Sequence, residues 1–349
     1  MSSSGKLRWR LADDAGGQGA FFADEELVER HVGTGEYRGL EFLHVDARRI
    51  VNEVPASSPV PFRYTINAYR GCSHACTYCF ARPTHEYLGL DIGDDFDRRI
   101  VVKVNAVERL RAELRSPKWG GDHIAMGTNT DPYQRTEGKY HLTRGIVRVL
   151  GEAGNPFSIL TKSTLILRDL DVLMAAAERT EVRANFSIGT LDEAVWQASE
   201  PGTPHPRRRV EAVRRLNDAG IPCGVLVAPV LPGLSDRPEQ LAEVVEACVE
   251  AGAVAITPIA LHLRPGVREH FMGWLRGAHP ELVDDYERRY RRRSYLPSAE
   301  QDALAATVRA LVRQAGGLRA PPRPRRPERP SVVAVPPRDD SEQLSLLGR

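Results

Sequence analysis

The chain reads as an α/β protein built on a parallel sheet, and two observations predict it. Six short β-rich runs alternate with helix-period segments between about residues 60 and 260. Several of those helical segments end on glycine, as in Ala219-Gly220 and Ala251-Gly252, which suits a left-handed C-cap. Strands alternating with helices imply right-handed βαβ units. A sheet of six such units either stays open or curves into a partial barrel, and periodicity leaves both open.

Taken in order, residues 1–55 form an N-terminal extension of weak periodicity, rich in glycine and charge. Residues 56–265 form the core. Its predicted strands are Thr65–Tyr69, His123–Gly127, Phe157–Thr161, Val182–Ile188, Cys223–Ala228 and Val254–Ile259. Between them, a helix starts near Asn105, a residue suited to capping, with Val107, Leu110 and Leu114 on one face. Leu142–Glu152, Leu170–Glu178, Arg209–Ala219 and Pro238–Val249 show the same periodicity. Residues 266–316 are a helical extension, with helices predicted at Val267–Ala278, Pro280–Arg292 and Ser298–Ala315. Residues 317–349 are Arg/Pro-rich, a composition that buries no core and predicts a disordered tail.

The bulk properties exclude several classes. Lys plus Arg number 48 against 46 for Asp plus Glu, so the chain is not a uniformly basic nucleic-acid binder, though local patches remain. One such patch is Arg288, Arg289, Arg291, Arg292 and Arg293 among Tyr286, Tyr290 and Tyr295. It is either a solvated helix face or a phosphate site with rings for bases. No apolar run approaches the roughly 18 residues of a membrane span, and the first residues lack a signal peptide's apolar segment. A soluble, cytoplasmic protein with no membrane partner is expected.

Five cysteines are no disulfide framework. Three of them, Cys72, Cys76 and Cys79, are spaced C-x3-C-x2-C. Three thiolates hold three irons of a four-iron cluster and leave the fourth iron open to chemistry. The competing metal is zinc, with His74 or His85 as a fourth ligand. Structural zinc sites usually carry a second ligand pair, and none is present here. Cys248 falls at helical spacing with Leu241, Val244 and Val245 and reads as core. Cys223 lies in a strand, either as a buried thiol or as a hydrogen donor facing a barrel interior.

The triad, with Tyr78 just before its last cysteine, resembles the signature of radical S-adenosyl-L-methionine (SAM) enzymes. Further stretches resemble the spore photoproduct lyase-like (DNA repair photolyase-like) branch of that superfamily. They are Cys79-Phe80-Ala81-Arg82-Pro83-Thr84-His85-Glu86-Tyr87-Leu88, Gly127-Thr128-Asn129-Thr130-Asp131-Pro132-Tyr133-Gln134, Glu200-Pro201-Gly202-Thr203-Pro204, and Ala228 to Asp236. The resemblance spans roughly residues 60 to 265. It implies a partial (β/α)6 barrel of the TIM type, with Cys72, Cys76 and Cys79 as catalytic and metal-binding residues. It also implies a [4Fe-4S] cluster and SAM as cofactors. The reduced cluster would pass one electron to the sulfonium, releasing a 5′-deoxyadenosyl radical that abstracts hydrogen; the protein positions the parts and excludes water.

The same resemblance suggests which residues bind SAM. Thr128, Asn129 and Asp131 follow the second strand, where the superfamily meets the SAM amine; the bland alternative is a turn with an Asp cap. Asn185 and Ser187 lie on the fourth strand, where the ribose is often contacted, and share a face whose direction alternation leaves open. Tyr78 packs near the adenine or fills core. One of Arg207, Arg208 and Arg209 reaches the SAM carboxylate or a substrate phosphate, or simply starts a solvent-facing helix.

The resemblance has a departure and an addition. Spore photoproduct lyases return hydrogen from a cysteine shortly after the cluster loop, whereas here none lies between Cys79 and Cys223. This puts reversal of thymine dimers in spores in doubt; action on nucleic acid is expected, with radical SAM modification of a protein or small molecule, or a non-enzymatic metal-stabilised adaptor, as the alternatives. At the far end Gln343-Leu344-Ser345-Leu346-Leu347 resembles the peptide by which bacterial repair proteins dock on the sliding clamp, with Leu347 where phenylalanine is usual. A tethered peptide behind a flexible linker suits docking. The expected partners are a flavodoxin- or ferredoxin-type electron donor, DNA, and the clamp through Gln343, Leu344, Leu346 and Leu347.

Overall fold

Backbone geometry in the computed structural model is described for residues 25–58 and 60–321. The extremities of the chain, including the expected clamp-docking peptide, lie outside the described residues. Eleven strands appear among those described: β1 (Glu25–Val32), β2 (Glu41–Ala47), β3 (Val51–Glu53), β4 (Tyr64–Ile66), β5 (Tyr69–Arg70), β6 (Arg99–Lys103), β7 (Ile124–Met126), β8 (Phe157–Thr161), β9 (Val182–Ser187), β10 (Cys223–Val230) and β11 (Ile256–Ala260).

Strands form at all six predicted places and pair side by side in parallel, except that the first breaks after Ile66 and its Tyr69 joins β5 in a second sheet. The larger sheet runs β11-β10-β9-β8-β7-β4-β3, with only β3 antiparallel to its neighbour. The order is open, which fits a partial barrel rather than a closed one. Parallel pairing needs crossovers, and helices such as Leu142–Glu152, Leu170–Ala177, Pro206–Asp218 and Pro238–Glu250 provide them. The helix before β10 ends on Gly220 as expected, with Ile221 N donating to Leu216 O at 2.9 Å.

The core lies between this sheet and its helices. Phe157 and Ile159 of β8, Val182, Ala184 and Phe186 of β9, and Cys223, Val225 and Val227 of β10 belong to one buried cluster with Ile146, Leu150, Leu173, Val213, Leu216 and Cys248 from the helices. Register keeps these residues on one face: Ile159 sits beside Ala184, and Ala184 beside Cys223. The intervening residues, Asn185 and Ser187 among them, therefore point to the opposite, concave face. Cys223 thus faces the helices. It is fully buried near Cys248 and does not look into the barrel interior.

Three expectations about the borders of the core change. The N-terminal stretch is integral from residue 25 onward. β1 and β2 form an antiparallel pair, β2 runs parallel to β6, and the second sheet has the order β1-β2-β6-β5. Strand β6 was not anticipated; its Ile100-Val101-Val102 run is wholly buried. Asn105 does not cap the helix Ala106–Leu114. Its side chain instead clamps β2, accepting from Ala47 N at 2.9 Å and donating to Ala47 O at 3.1 Å.

The C-terminal extension forms helices at Val267–Ala278, Val283–Tyr290 and Ser298–Gln314, close to expectation. Tyr286 and Tyr290 are buried there, donating to the Pro232 and Leu261 carbonyls at 2.8 Å each. These two rings anchor the extension to the core and are not available to bases. Among the described residues no helix is long and apolar enough to cross a membrane.

Candidate active site

The cysteine loop follows β4 and β5 at the carboxyl ends of the parallel strands, where α/β folds place their ligands. Its path is pinned by backbone bonds. Cys72 N donates to Phe96 O at 2.9 Å, Thr77 N to Ser199 O at 3.0 Å, and Cys79 N to Cys76 O at 3.2 Å. Two glycines permit the route. Gly71 has φ +76, and a Cβ there would lie 2.8 Å from Phe96 O; at Gly202 a Cβ would lie 2.1 Å from Ser73 O. Gly202 N in turn donates to His74 O at 3.0 Å. Arg82 is fully buried beneath the loop, donating to Cys76 O at 3.0 and 3.1 Å and pairing with Asp97 at 2.9 Å.

Three features fit an iron–sulfur cluster. First, burial pushes all three thiols up, so bare thiolates would be unstable there without nearby metal charge. Second, the Ser73 and Thr77 hydroxyls, both inside the loop, are buried without a partner among the described residues, leaving two donors for cluster sulfurs. Third, the three sulfurs are spread wider than one ion requires. A tetrahedral zinc at about 2.3 Å from each sulfur would bring them within about 4 Å of one another. Among the described residues only Glu29, His31 and His44 gather ligand atoms within 4.8 Å. Of the two histidines proposed for zinc, His74 Nδ1 lies 3.3 Å from Asp131 Oδ2 and His85 Nε2 lies 3.0 Å from Arg99 O, while His85 Nδ1 is buried with no partner among the described residues.

The concave face beside the loop carries a buried polar network. Tyr78 donates its phenol to Glu200 Oε1. Lys162 Nζ donates to Glu200 Oε1 at 3.0 Å and to Ser187 Oγ at 2.6 Å, and lies 5.6 Å from the centre of the Tyr78 ring. Ser187 Oγ donates to Ala228 O at 2.7 Å. Arg209 pairs with Glu200 Oε2 and donates to Ser187 O at 3.1 Å. Burial alone would raise the Glu200 carboxyl, but the Arg209 guanidinium and Lys162 ammonium outweigh it and hold it down to about 2. Burial and the adjacent Glu200 charge push the Tyr78 phenol well up, so it stays a donor.

The expected SAM-binding residues fall into two groups. Tyr78 and Ser187 are in this network, and Asn185 shares the Ser187 face, with its Oδ1 against Gly224. Thr128, Asn129 and Asp131 lie across the loop's other flank. Thr128 Oγ1 accepts from Asn67 Nδ2 at 3.2 Å, and Asn129 N donates to Asn67 Oδ1 at 3.1 Å. The Asp131 carboxylate is already committed. It accepts from Thr161 Oγ1 and Lys162 N at 2.7 Å, from Tyr133 N at 2.8 Å, and faces His74. Burial would raise it, yet His74 and these donors hold it low. Asp131 thus braces the turn from within. Arg209 is buried and spent on Glu200 and Thr203, while Arg207 pairs with Glu243 on the surface. The residues missed by sequence reasoning are Lys162 as a bridge, Glu200 as its anchor, and Asn67. Glu200 sat in a quoted motif, but its partner Tyr78 is 122 positions away.

An open six-stranded parallel barrel with a three-thiol loop at its carboxyl end defines a class of cluster-bearing enzyme, and comparison with known proteins agrees. The radical SAM superfamily pattern matches residues 66–245, and the chain belongs to that superfamily. It is therefore an enzyme of a family that uses a [4Fe-4S] cluster and SAM and needs a reductant. An uncharacterized protein of Mycobacterium tuberculosis is 46% identical over 297 residues, covering 84% of this chain and 87% of that protein. Spore photoproduct lyase of Bacillus subtilis is 25% identical over 204 residues, 56% of this chain and 53% of the lyase. A solved structure of a spore photoproduct lyase variant superposes with a TM-score of 0.60 at 19% identity, covering 80% of this chain and 82% of the other.

Proposed function

We propose that this radical SAM enzyme acts on nucleic acid, with Cys72, Cys76 and Cys79 holding the cluster and Tyr78, Asn185, Ser187 and the Thr128–Asn129 turn receiving SAM. When bound, the two cofactors supply a carbon radical able to take hydrogen from an unactivated carbon. The chain's own part is positioning. Glu200 fixes the Tyr78 phenol and the Lys162 ammonium, Lys162 orients the Ser187 hydroxyl, and the buried loop keeps water off the thiols.

The observation that carries the substrate class is the kinship with spore photoproduct lyase, at 25% identity over 204 residues. A second lyase structure of the same fold, at a TM-score of 0.58, is complexed with a dinucleoside spore photoproduct. The chemistry would differ at its last step. Among the described residues, the two cysteines outside the loop are buried in the core, so hydrogen return would use another donor. The tail run Gln343-Leu344-Ser345-Leu346-Leu347 would bring the enzyme to clamp-loaded DNA, and a peptide titration against bacterial clamp with a Leu344→Ala control tests that separately.

The test of the main reading is anaerobic reconstitution followed by dithionite, SAM and candidate nucleic acids. 5′-Deoxyadenosine release should require all three cysteines and should change when undamaged or ultraviolet-treated DNA is added. Release indifferent to every nucleic acid tried would sink the substrate class and leave the superfamily chemistry intact.

A further inference from the structure

Directly after the last cluster cysteine, which is half-buried, Phe80 stands 41% exposed, although Cys76, Thr77, Tyr78 and Ala81 around it are buried. Its ring does not stand alone. His262, from the loop after β11, lies 5.8 Å away between centroids, and Tyr295 stacks on His262 at 5.3 Å with an interplanar angle of 22°. Tyr295 is itself 46% exposed. The array is held by main chain: His262 and Tyr295 form an antiparallel bridge, and Leu263 N donates to Ser294 O at 2.7 Å. Arg264 Nη2 lies 3.4 Å from the Tyr295 hydroxyl. Three rings from three segments thus make a ladder that begins beside Cys79 and leads outward over the C-terminal extension.

Charge is unevenly settled around it. Arg276, Arg288 and Arg289 are paired with Glu287, Asp285 and Glu300. Arg291, Arg292 and Arg293, which immediately precede the ladder, are exposed, and among the described residues no carboxylate lies within 4.0 Å of their guanidinium groups. The nearby shallow cleft of about 390 Å³ does include Asp285 and Glu300, but both are already engaged by Arg288 and Arg289. A run of uncompensated arginines beside exposed stacked rings is complementary to a chain that carries phosphates and flat bases at once.

We infer that Phe80, His262 and Tyr295 form a base-stacking platform for single-stranded nucleic acid, with Arg291, Arg292 and Arg293 holding its phosphates and the strand leading to the thiol loop. This rests on the nucleic-acid reading above and adds the strandedness and the path. An acidic redox partner protein is the competing occupant. Exposed rings can also anchor a protein, but a His262–Tyr295 stack flanked by unpaired arginines matches the alternation of bases and phosphates along a single strand.

The test is fluorescence anisotropy of the anaerobically reconstituted enzyme with a labelled single-stranded DNA of about twelve nucleotides, long enough for one such site, and with the matching duplex, across a salt series. The single strand should bind more tightly than the duplex. Tyr295→Ala should weaken single-strand binding by about tenfold, a typical loss for one stacked base, whereas Tyr295→Phe should retain it. Replacing Arg291, Arg292 and Arg293 by serine should flatten the dependence of log affinity on log salt by about 2, three contacts' worth for a single strand. Wild-type binding untouched by Tyr295→Ala, or preferring duplex, would overturn the platform while leaving a nucleic-acid substrate standing. No binding of either DNA would remove both. Serine variants that bind DNA normally yet lose reduction by flavodoxin would reassign the arginines to the electron donor and overturn the proposal.

Discussion

Toward the helices, β8, β9 and β10 present Ile159, Phe186 and Val225; toward the concave side, the same strands and their ends present Asn185, Ser187 and Lys162. Neighbouring residues on one strand serve opposite tasks. The helix-facing set is apolar and closely packed, and its contribution is area removed from water. The concave set is polar, with Lys162 and Ser187 bonded to each other, and its contribution is orientation. A strand with period two separates stability from chemistry by one residue.

The sharpest way to break this contrast is at the loop. Cys72→Ala should abolish bound cluster and SAM cleavage, measured as iron content and 5′-deoxyadenosine, while the circular dichroism of the sheet persists. Next in size, Phe186→Ala on the helix face should cost about 3–5 kcal/mol of stability in urea melts. The folded fraction should keep its cluster, because the loss falls on the packing face alone. A smaller effect belongs to Glu200. Its carboxyl is held at about 2, below the usual value near 4.5, so it contributes stability above pH 4.5 that disappears as pH falls toward 2. Between pH 5 and pH 3 the apoprotein should lose about 2 kcal/mol that a Glu200→Gln variant does not lose. A pH dependence identical in the two proteins would show that Glu200 is not held as described. The smallest change is expected at Cys223. Cys223→Ala should cost about 1 kcal/mol, the loss of one small apolar group, and leave deoxyadenosine yield unaltered. A drop in turnover there would mean the thiol reaches the concave side after all.

Much of the frame was legible because local pattern and global architecture agree. β8 alternates buried and half-buried positions, and its run stands out between helical segments. The three helices of the extension were readable for the same reason. What escaped reading depends on partners distant in the chain. The direction in which Asn185 and Ser187 point is decided by which side the helices cover, and alternation carries no such sign. Tyr286 and Tyr290 are one helical turn apart and both turn inward, so an arginine-rich stretch that looked like one patch divides into a buried anchor and an exposed arginine run. Strand β6 is only five residues long and was hidden by the stronger helical pattern that follows it. Lys162, Glu200 and Arg209 are charged residues whose burial is tolerable only because two loops and a helix bring them together to pair.

The seam between the thiol loop and the Ser199–Gly202 segment bears on how the enzyme is born. Thr77 and His74 take their places only by bonding to Ser199 and Gly202, and Tyr78 meets Glu200 from 122 positions away. A nascent chain still lacking that segment has the loop held on one side alone, by Phe96 and by Arg82 with its partner Asp97. A chain cut short of Ser199 would keep all three thiols and that one-sided support while losing the anchors of Thr77 and Tyr78.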